Sequence, residues 1–173
     1  MSVEAIRSAI RDIPDFPKPG ILFKDITPVL RDPALFKAAV DIYVERCVLH
    51  KATRVAAVDA RGFMFGGAVC ERLGLGLVPI RKQGKLPYKT FEETYELEYG
   101  TATLAVHQDA FEAGEPVVII DDLLATGGTA AATAALVGKA GGEVREIAFL
   151  IELTFLQGRE KLKDYDVFSA VTF

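Results

Sequence analysis

The 173-residue chain predicts an α/β fold with a mainly parallel central sheet flanked by helices. Two observations predict it. Val117-Val118-Ile119-Ile120 is continuously apolar and β-branched, as a strand buried on both faces requires; a half-exposed strand would alternate. Similar short runs alternate along the chain with helix-length segments, which is the order of parallel βαβ units.

The elements follow in order. Residues 2–12 read as an amphipathic helix of mixed charge, not a signal peptide. Residues 13–33 hold five of the eight prolines (Pro14, Pro17, Pro19, Pro28 and Pro33) and predict neither regular helix nor central strand. Asp32 caps a helix with Pro33 at its first position, running to about Leu49. Arg54–Val58 predicts a short buried strand, Gly62–Leu73 a helix stopped at Gly74, and Leu75–Ile80 a strand. Lys82–Thr94 reads as a polar loop, and Tyr95–Val106 as a strand or ribbon interrupted at Gly100. After the 117–120 strand comes an alanine-rich helix from Thr129, stopped by Gly141-Gly142. A strand at Val144–Leu153, a helix at about Gln157–Lys163 and a strand near Val167–Val171 complete the chain. The length suits one domain.

The chemistry concentrates at VVIIDDLLATGGT, residues 117–129. Asp121 and Asp122 fall at the carboxyl end of the strand, where open α/β sheets bind ligands. Ala125, Thr126, Gly127, Gly128 and Thr129 then form a small-residue turn into a helix. Free N–H groups and the helix dipole make that turn an anion site. The two carboxylates suit hydroxyl groups or a metal ion instead. A ligand with a phosphate at one end and a diol beside it, such as a ribose 5-phosphate, has this shape. Two other phosphate loops are excluded: no lysine follows the glycines as a Walker loop needs, and the acids stand where a dinucleotide fingerprint places its first glycine.

A net charge of −4 argues against a general nucleic-acid binder, yet Arg81, Lys82, Lys85 and Lys89 cluster as a second anion site. Cys47 and Cys70 lie in helical patterns and read as reduced core residues of a cytoplasmic protein; His50 and His107 have no partners at zinc-like spacing. No run reaches the ~18 apolar residues of a membrane span.

The 117–129 stretch resembles the phosphoribosyl diphosphate motif of the type I phosphoribosyltransferases, and DDLLATGGT is similar to its adenine-specific members. Phe16-Pro17-Lys18-Pro19-Gly20 onward, DARGF at 59–63, RKQGKLP at 81–87, YELEYG at 95–100 and LTFLQGREKL at 153–162 extend the likeness over nearly the whole chain. The resemblance implies the type I phosphoribosyltransferase fold, with a small N-terminal base-binding hood (about 1–33), a core (34–173) and a mobile catalytic loop. It implies purine salvage: adenine and 5-phosphoribosyl 1-diphosphate give AMP and diphosphate, with Mg2+, in a homodimer.

Site residues follow from the two readings together. The 125–129 turn takes the 5-phosphate, and Asp121 and Asp122 the ribose hydroxyls, directly or through magnesium and water. Arg61 offers diphosphate a bidentate donor, joined by Arg81, Lys82 and Lys85. The family often has a cis non-proline peptide in the DARGF loop, expected here at Ala60–Arg61. An oxocarbenium-like transition state must be kept from water, which asks for a lid; Gln83 to about Tyr99 is the expected mobile segment. Glu98 and Tyr99 match the family's loop residues, with Glu98 a candidate for handling a purine proton. Ile21-Leu22-Phe23-Lys24 is expected to select the base, Phe23 by stacking and Leu22 and Lys24 by backbone groups that read adenine and reject 6-oxopurines. Lys24 stands where arginine is expected in many relatives. Thr27 matches a small hydroxyl residue near the nucleotide. Two alternatives differ in class or substrate: a 6-oxopurine transferase, which usually has its base pocket late in the chain, and a donor-binding regulator, which needs a basic nucleic-acid surface.

Overall fold

The computed structural model describes residues 2–97 and 99–173. The chain forms two compact units, residues 1–42 and 43–173.

In the first unit, α1 (Val3–Ala9) is capped by the Ser2 side chain. The helix stops earlier than the pattern suggests, because Ile10 turns its N–H back to Ile6 and Arg7 and the next residues pair as strand. That strand, β1 (Arg11–Pro14), runs antiparallel to β2 (Leu22–Asp25), with Ile13 opposite Phe23. The proline-rich segment therefore spans a two-stranded ribbon and a single helical turn, α2 (Thr27–Arg31). Asp32 Oδ1 accepts from the N–H groups of Ala34 and Leu35 and starts α3 (Pro33–Leu49), as expected.

The second unit is built on a seven-stranded sheet in the order β5-β6-β4-β3-β7-β8-β9. β3 (Arg54–Val58), β4 (Gly76–Lys82), β7 (Glu115–Leu124), β8 (Gly142–Glu152) and β9 (Val167–Thr172) are parallel. α4 (Arg61–Leu73) links β3 to β4, and α5 (Gly128–Lys139) links β7 to β8. The α4 helix ends on Gly74 in the left-handed region. Val117 to Ile120 are fully buried, which explains the unbroken apolar run.

A hairpin of β5 (Thr90–Glu96) and β6 (Thr101–His107) joins the edge of β4 in antiparallel sense. β5 takes the last part of the expected polar loop, residues 90–94. Its alternation is real but half-hidden: Phe91 and Tyr95 pack on the core, while Glu92, Thr94 and Glu96 face out. Residues 157–163, expected as a helix, form 3-10 turns instead (Thr154–Leu156 and Gly158–Leu162). Gln157 at φ 53° interrupts the helical path between them.

The buried Glu146 of β8 is charge-matched: Arg46 Nε donates to its Oε1 at 2.8 Å, and His50 Nε2 lies 3.0 Å from Oε2. Cys47 and Cys70 are buried free thiols, pushed by burial to about 12 and about 11, which suits inert core residues. Among the described residues, no helix is long and apolar enough to cross a membrane.

Candidate active site

A cleft lies where the sheet order reverses. From β3 the chain crosses to β4 on one side; from β7 it crosses to β8 on the other. The crossovers diverge, and a crevice opens at the carboxyl ends of β3 and β7. The β3–β7 ladder stops at Ala57 and Ile120, whereas β7 stays paired with β8 as far as Leu124 opposite Glu152. Asp121 and Asp122 therefore sit within a strand that has lost one neighbour, rather than beyond its end. The crevice holds about 290 Å³ and is lined by residues 58–61, 121–130 and Phe149. It brings together Arg61, both aspartates and the entire 125–129 turn.

The turn is locked from below. Gly127 has φ +84°, and a Cβ there would lie 2.3 Å from the carbonyl oxygen of Gly158. A Cβ on Gly158 would in turn lie 2.3 Å from the Ala125 carbonyl oxygen. Only two glycines allow the turn and the Gly158 segment to meet this closely. Arg159 fastens the segment: its Nε and Nη2 donate to buried Glu152 at 2.8 Å, and Nη1 donates to the Val167 carbonyl at 2.9 Å. The guanidinium, helped by the Ser169 hydroxyl, holds the Glu152 carboxyl below its ordinary range.

The acidic pair is asymmetric. Arg61 Nε donates to Asp122 Oδ2 at 2.5 Å, and the Asp122 side chain is only 8% exposed. Asp121 Oδ1 accepts from the Asp122 N–H at 2.9 Å. Burial first, and the Asp122 carboxylate second, push the Asp121 carboxyl well above the usual range; the Asp122 N–H and Arg61 oppose that. Below it, fully buried Tyr43 donates to the Asp121 carbonyl at 2.8 Å and packs on Phe65. Gly62, in the first turn of α4, permits the close approach: a Cβ there would meet the Ile120 carbonyl at 2.8 Å.

The basic cluster is split. Arg81 Nε donates to Asp59 at the cleft, and its Nη1 to the Lys85 carbonyl. Lys82 and Lys85 are exposed and do not line the crevice. The cis non-proline peptide is Asp59–Ala60, one bond before the expected place: Ala60 is already the cap of α4, and Arg61 its first helical residue. Tyr99 is exposed, and Glu98 lies outside the described residues.

In the first unit, Ile13, Phe16, Phe23 and Asp25 line a pocket of about 200 Å³. Phe16 meets Phe23 edge-on, with ring centroids 5.1 Å apart and planes at 73°. Leu22 is exposed, and Lys24 pairs with Asp12 at 2.6 Å. Thr27 turns its hydroxyl and N–H to Asp25, and these bonds, with Arg11, hold the Asp25 carboxyl at about 2. The sequence pattern did not single out Phe16, Tyr43, Tyr95 or Arg159. Tyr43 and Tyr95 act through partners distant in the chain; Arg159 acts on the nearby Glu152 and Val167, and the place of Phe16 beside Phe23 follows from the β1–β2 ribbon.

The phosphoribosyl transferase domain profile matches residues 30–172. The adenine phosphoribosyltransferase of Syntrophotalea carbinolica is 54% identical over 99% of this chain and 100% of its own. The crystal structure of the enzyme of that name from Thermoanaerobacter pseudethanolicus superposes with a TM-score of 0.96 at 53% identity, covering 99% of this chain and 100% of that one. The Saccharomyces cerevisiae enzyme, crystallised with an imino-altritol bisphosphate and adenine, gives a TM-score of 0.92 at 40% identity, covering 97% of each chain. With its reversed-order sheet, acidic pair and glycine-locked turn, the chain belongs to the phosphoribosyltransferase family, among the adenine phosphoribosyltransferases.

Proposed function

We propose that the protein transfers the 5-phosphoribosyl group of 5-phosphoribosyl 1-diphosphate to N9 of adenine, giving AMP and diphosphate in purine salvage. The observation that carries this reading is the meeting of an anion-binding turn, two carboxylates and an arginine in one cleft. The N–H groups of Ala125 to Thr129, with the Thr126 and Thr129 hydroxyls, take the 5-phosphate. Asp121 and Asp122 hold the ribose hydroxyls. Arg61 meets the diphosphate, with Arg81, Lys82 and Lys85 adding positive potential as it leaves.

The donor set fits magnesium. Two adjacent carboxylates at one cleft supply few protein ligands and leave room for substrate oxygens and water, as this ion prefers. Bound beside Asp121 and Asp122, the ion supplies charge stabilisation to the leaving diphosphate. Glu98 and Tyr99 close over the site, with Glu98 handling the purine proton. The homodimer is proposed on the family's likeness.

Adenine is taken by the 1–33 hood. Phe23 and, from the pocket geometry, Phe16 offer aromatic surface to the purine. β2 has one strand neighbour among the described residues, so its other edge offers backbone groups to the base. Leu22 and Lys24 use that edge, and Lys24 contributes backbone only, since Asp12 engages its ammonium. Thr27 acts near the nucleotide through Asp25.

The test is nucleotide formation with magnesium, the donor, and adenine, hypoxanthine or guanine in turn. AMP from adenine alone is expected. Turnover of a 6-oxopurine overturns the base-pocket assignment, and donor binding without turnover overturns the enzyme reading. Phe16→Ala is expected to raise KM for adenine about tenfold, in line with the loss of one base–aromatic stack. The donor KM and Tm should hardly change, because the ring is half exposed. An unchanged adenine KM would remove Phe16 from the pocket's function.

A further inference from the structure

Tyr95 connects the β5–β6 hairpin to the anion-binding turn. Its Oη lies 2.9 Å from Thr129 Oγ1. Its ring covers the first residue of α5, so that a Cβ on Gly128 would stand 3.0 Å from Tyr95 Cδ2. The strand is also fastened at the other end of the helix: Lys139 donates to the Glu92 carbonyl at 3.1 Å and pairs with the Glu93 carboxylate. β5 thus lies clamped along α5, and the phenol is held at the cleft's rim.

Proton counting gives this contact a direction. Each hydroxyl has one proton. If Thr129 donates to Tyr95, it has none for an anion; if Tyr95 donates, the threonine proton is released. A phosphate offers only acceptors and selects the second arrangement. We infer that Tyr95 is a positioning residue for the donor's 5-phosphate: its phenol donates to Thr129 Oγ1 and so turns the threonine proton to the phosphate. This rests on the reading of residues 125–129 as the phosphate cradle.

The experiment compares Tyr95→Phe, Thr129→Ala and the double variant in the full-length protein. It reads KM for the donor, kcat, and competitive inhibition by ribose 5-phosphate and by inorganic diphosphate. Tyr95→Phe keeps the ring over Gly128. It is expected to raise the donor KM and the ribose 5-phosphate inhibition constant about tenfold, the scale of one hydrogen bond to a charged group. kcat and diphosphate inhibition should stay within a factor of about two of the parent, below the effect of one neutral hydrogen bond. Thr129→Ala should show the same rise, and the double variant no more than Thr129→Ala alone. If Thr129→Ala weakens ribose 5-phosphate and Tyr95→Phe does not, the role of Tyr95 is overturned and the cradle stands. If neither variant moves it, the cradle reading fails and the inference with it. Equal weakening of diphosphate, or a loss confined to kcat, overturns the inference by showing an effect not specific to the 5-phosphate.

Discussion

Replacing Gly127 by alanine is expected to destabilise the protein by about 3 kcal/mol, summing left-handed strain and an overpacked contact. For a chain of this length that lowers Tm by about 10 °C. The cause is local and twofold: φ is +84°, and the new methyl carbon would lie 2.3 Å from the Gly158 carbonyl oxygen. Backbone atoms stand on both sides of that contact, so neither side relieves it by a rotamer change. Relief requires the turn and the 157–159 segment to separate, which displaces the N–H groups proposed to hold the 5-phosphate. The donor KM should therefore rise with the loss of stability. Gly138→Ala is the control in the same helix. A Cβ there has nothing within 4 Å, and the change should be neutral or stabilising by up to about 1 kcal/mol. Thermal melts of the two variants settle the point; equal melting temperatures would mean that the Gly127–Gly158 contact does not form.

Asp121→Asn is expected to move stability and activity in opposite directions. The Asp121 carboxyl is raised above its ordinary value, by burial and then by Asp122. An acid raised in the folded state holds its proton more tightly there than in the unfolded chain. The folded state is therefore favoured least at high pH: stability falls as pH rises from the ordinary carboxylate range through the raised value. Asparagine removes that ionisation and retains an oxygen to accept from the Asp122 N–H. The variant should melt higher than the parent at pH 8, and the difference should shrink toward pH 4. Transfer, however, should fall by about a hundredfold or more, the scale of losing one charged group that stabilises the transition state. A lower melting temperature at pH 8 would show that Arg61 and the Asp122 N–H already compensate the Asp121 charge. Retained transfer would leave Asp122 as the sufficient carboxylate.

This opposition is the usual form of a stability–activity exchange, since a site that binds a cation or a diol must hold unneutralised acids beforehand. The structure limits the cost by giving Asp122 a hydrogen-bonded arginine, Arg61. Pairing both would stabilise the empty site and leave less for the ligand to gain.

The parts of this molecule legible in its sequence are those whose cause is local. Four β-branched residues in a row specify a doubly buried strand, because alternation would otherwise appear. Asp32 before Pro33 specifies a helix start, and Thr-Gly-Gly-Thr before alanines specifies an anion-binding turn into a helix. From these the α/β class and the cleft proposed for the donor could be read, and the likeness of the motif to a known family supplied the reaction. What the tertiary structure decided depends on partners far apart in the chain. Tyr95 reaches Thr129, Tyr43 supports Asp121, and Gly158 lies against Gly127. β5 looked like a polar loop because only β6 and α5 give its alternate side chains an inner face. The cleft's position required the sheet order, which no periodicity encodes. Hydrophobic pattern specifies which face of an element is buried, but it carries no label for the surface that buries it.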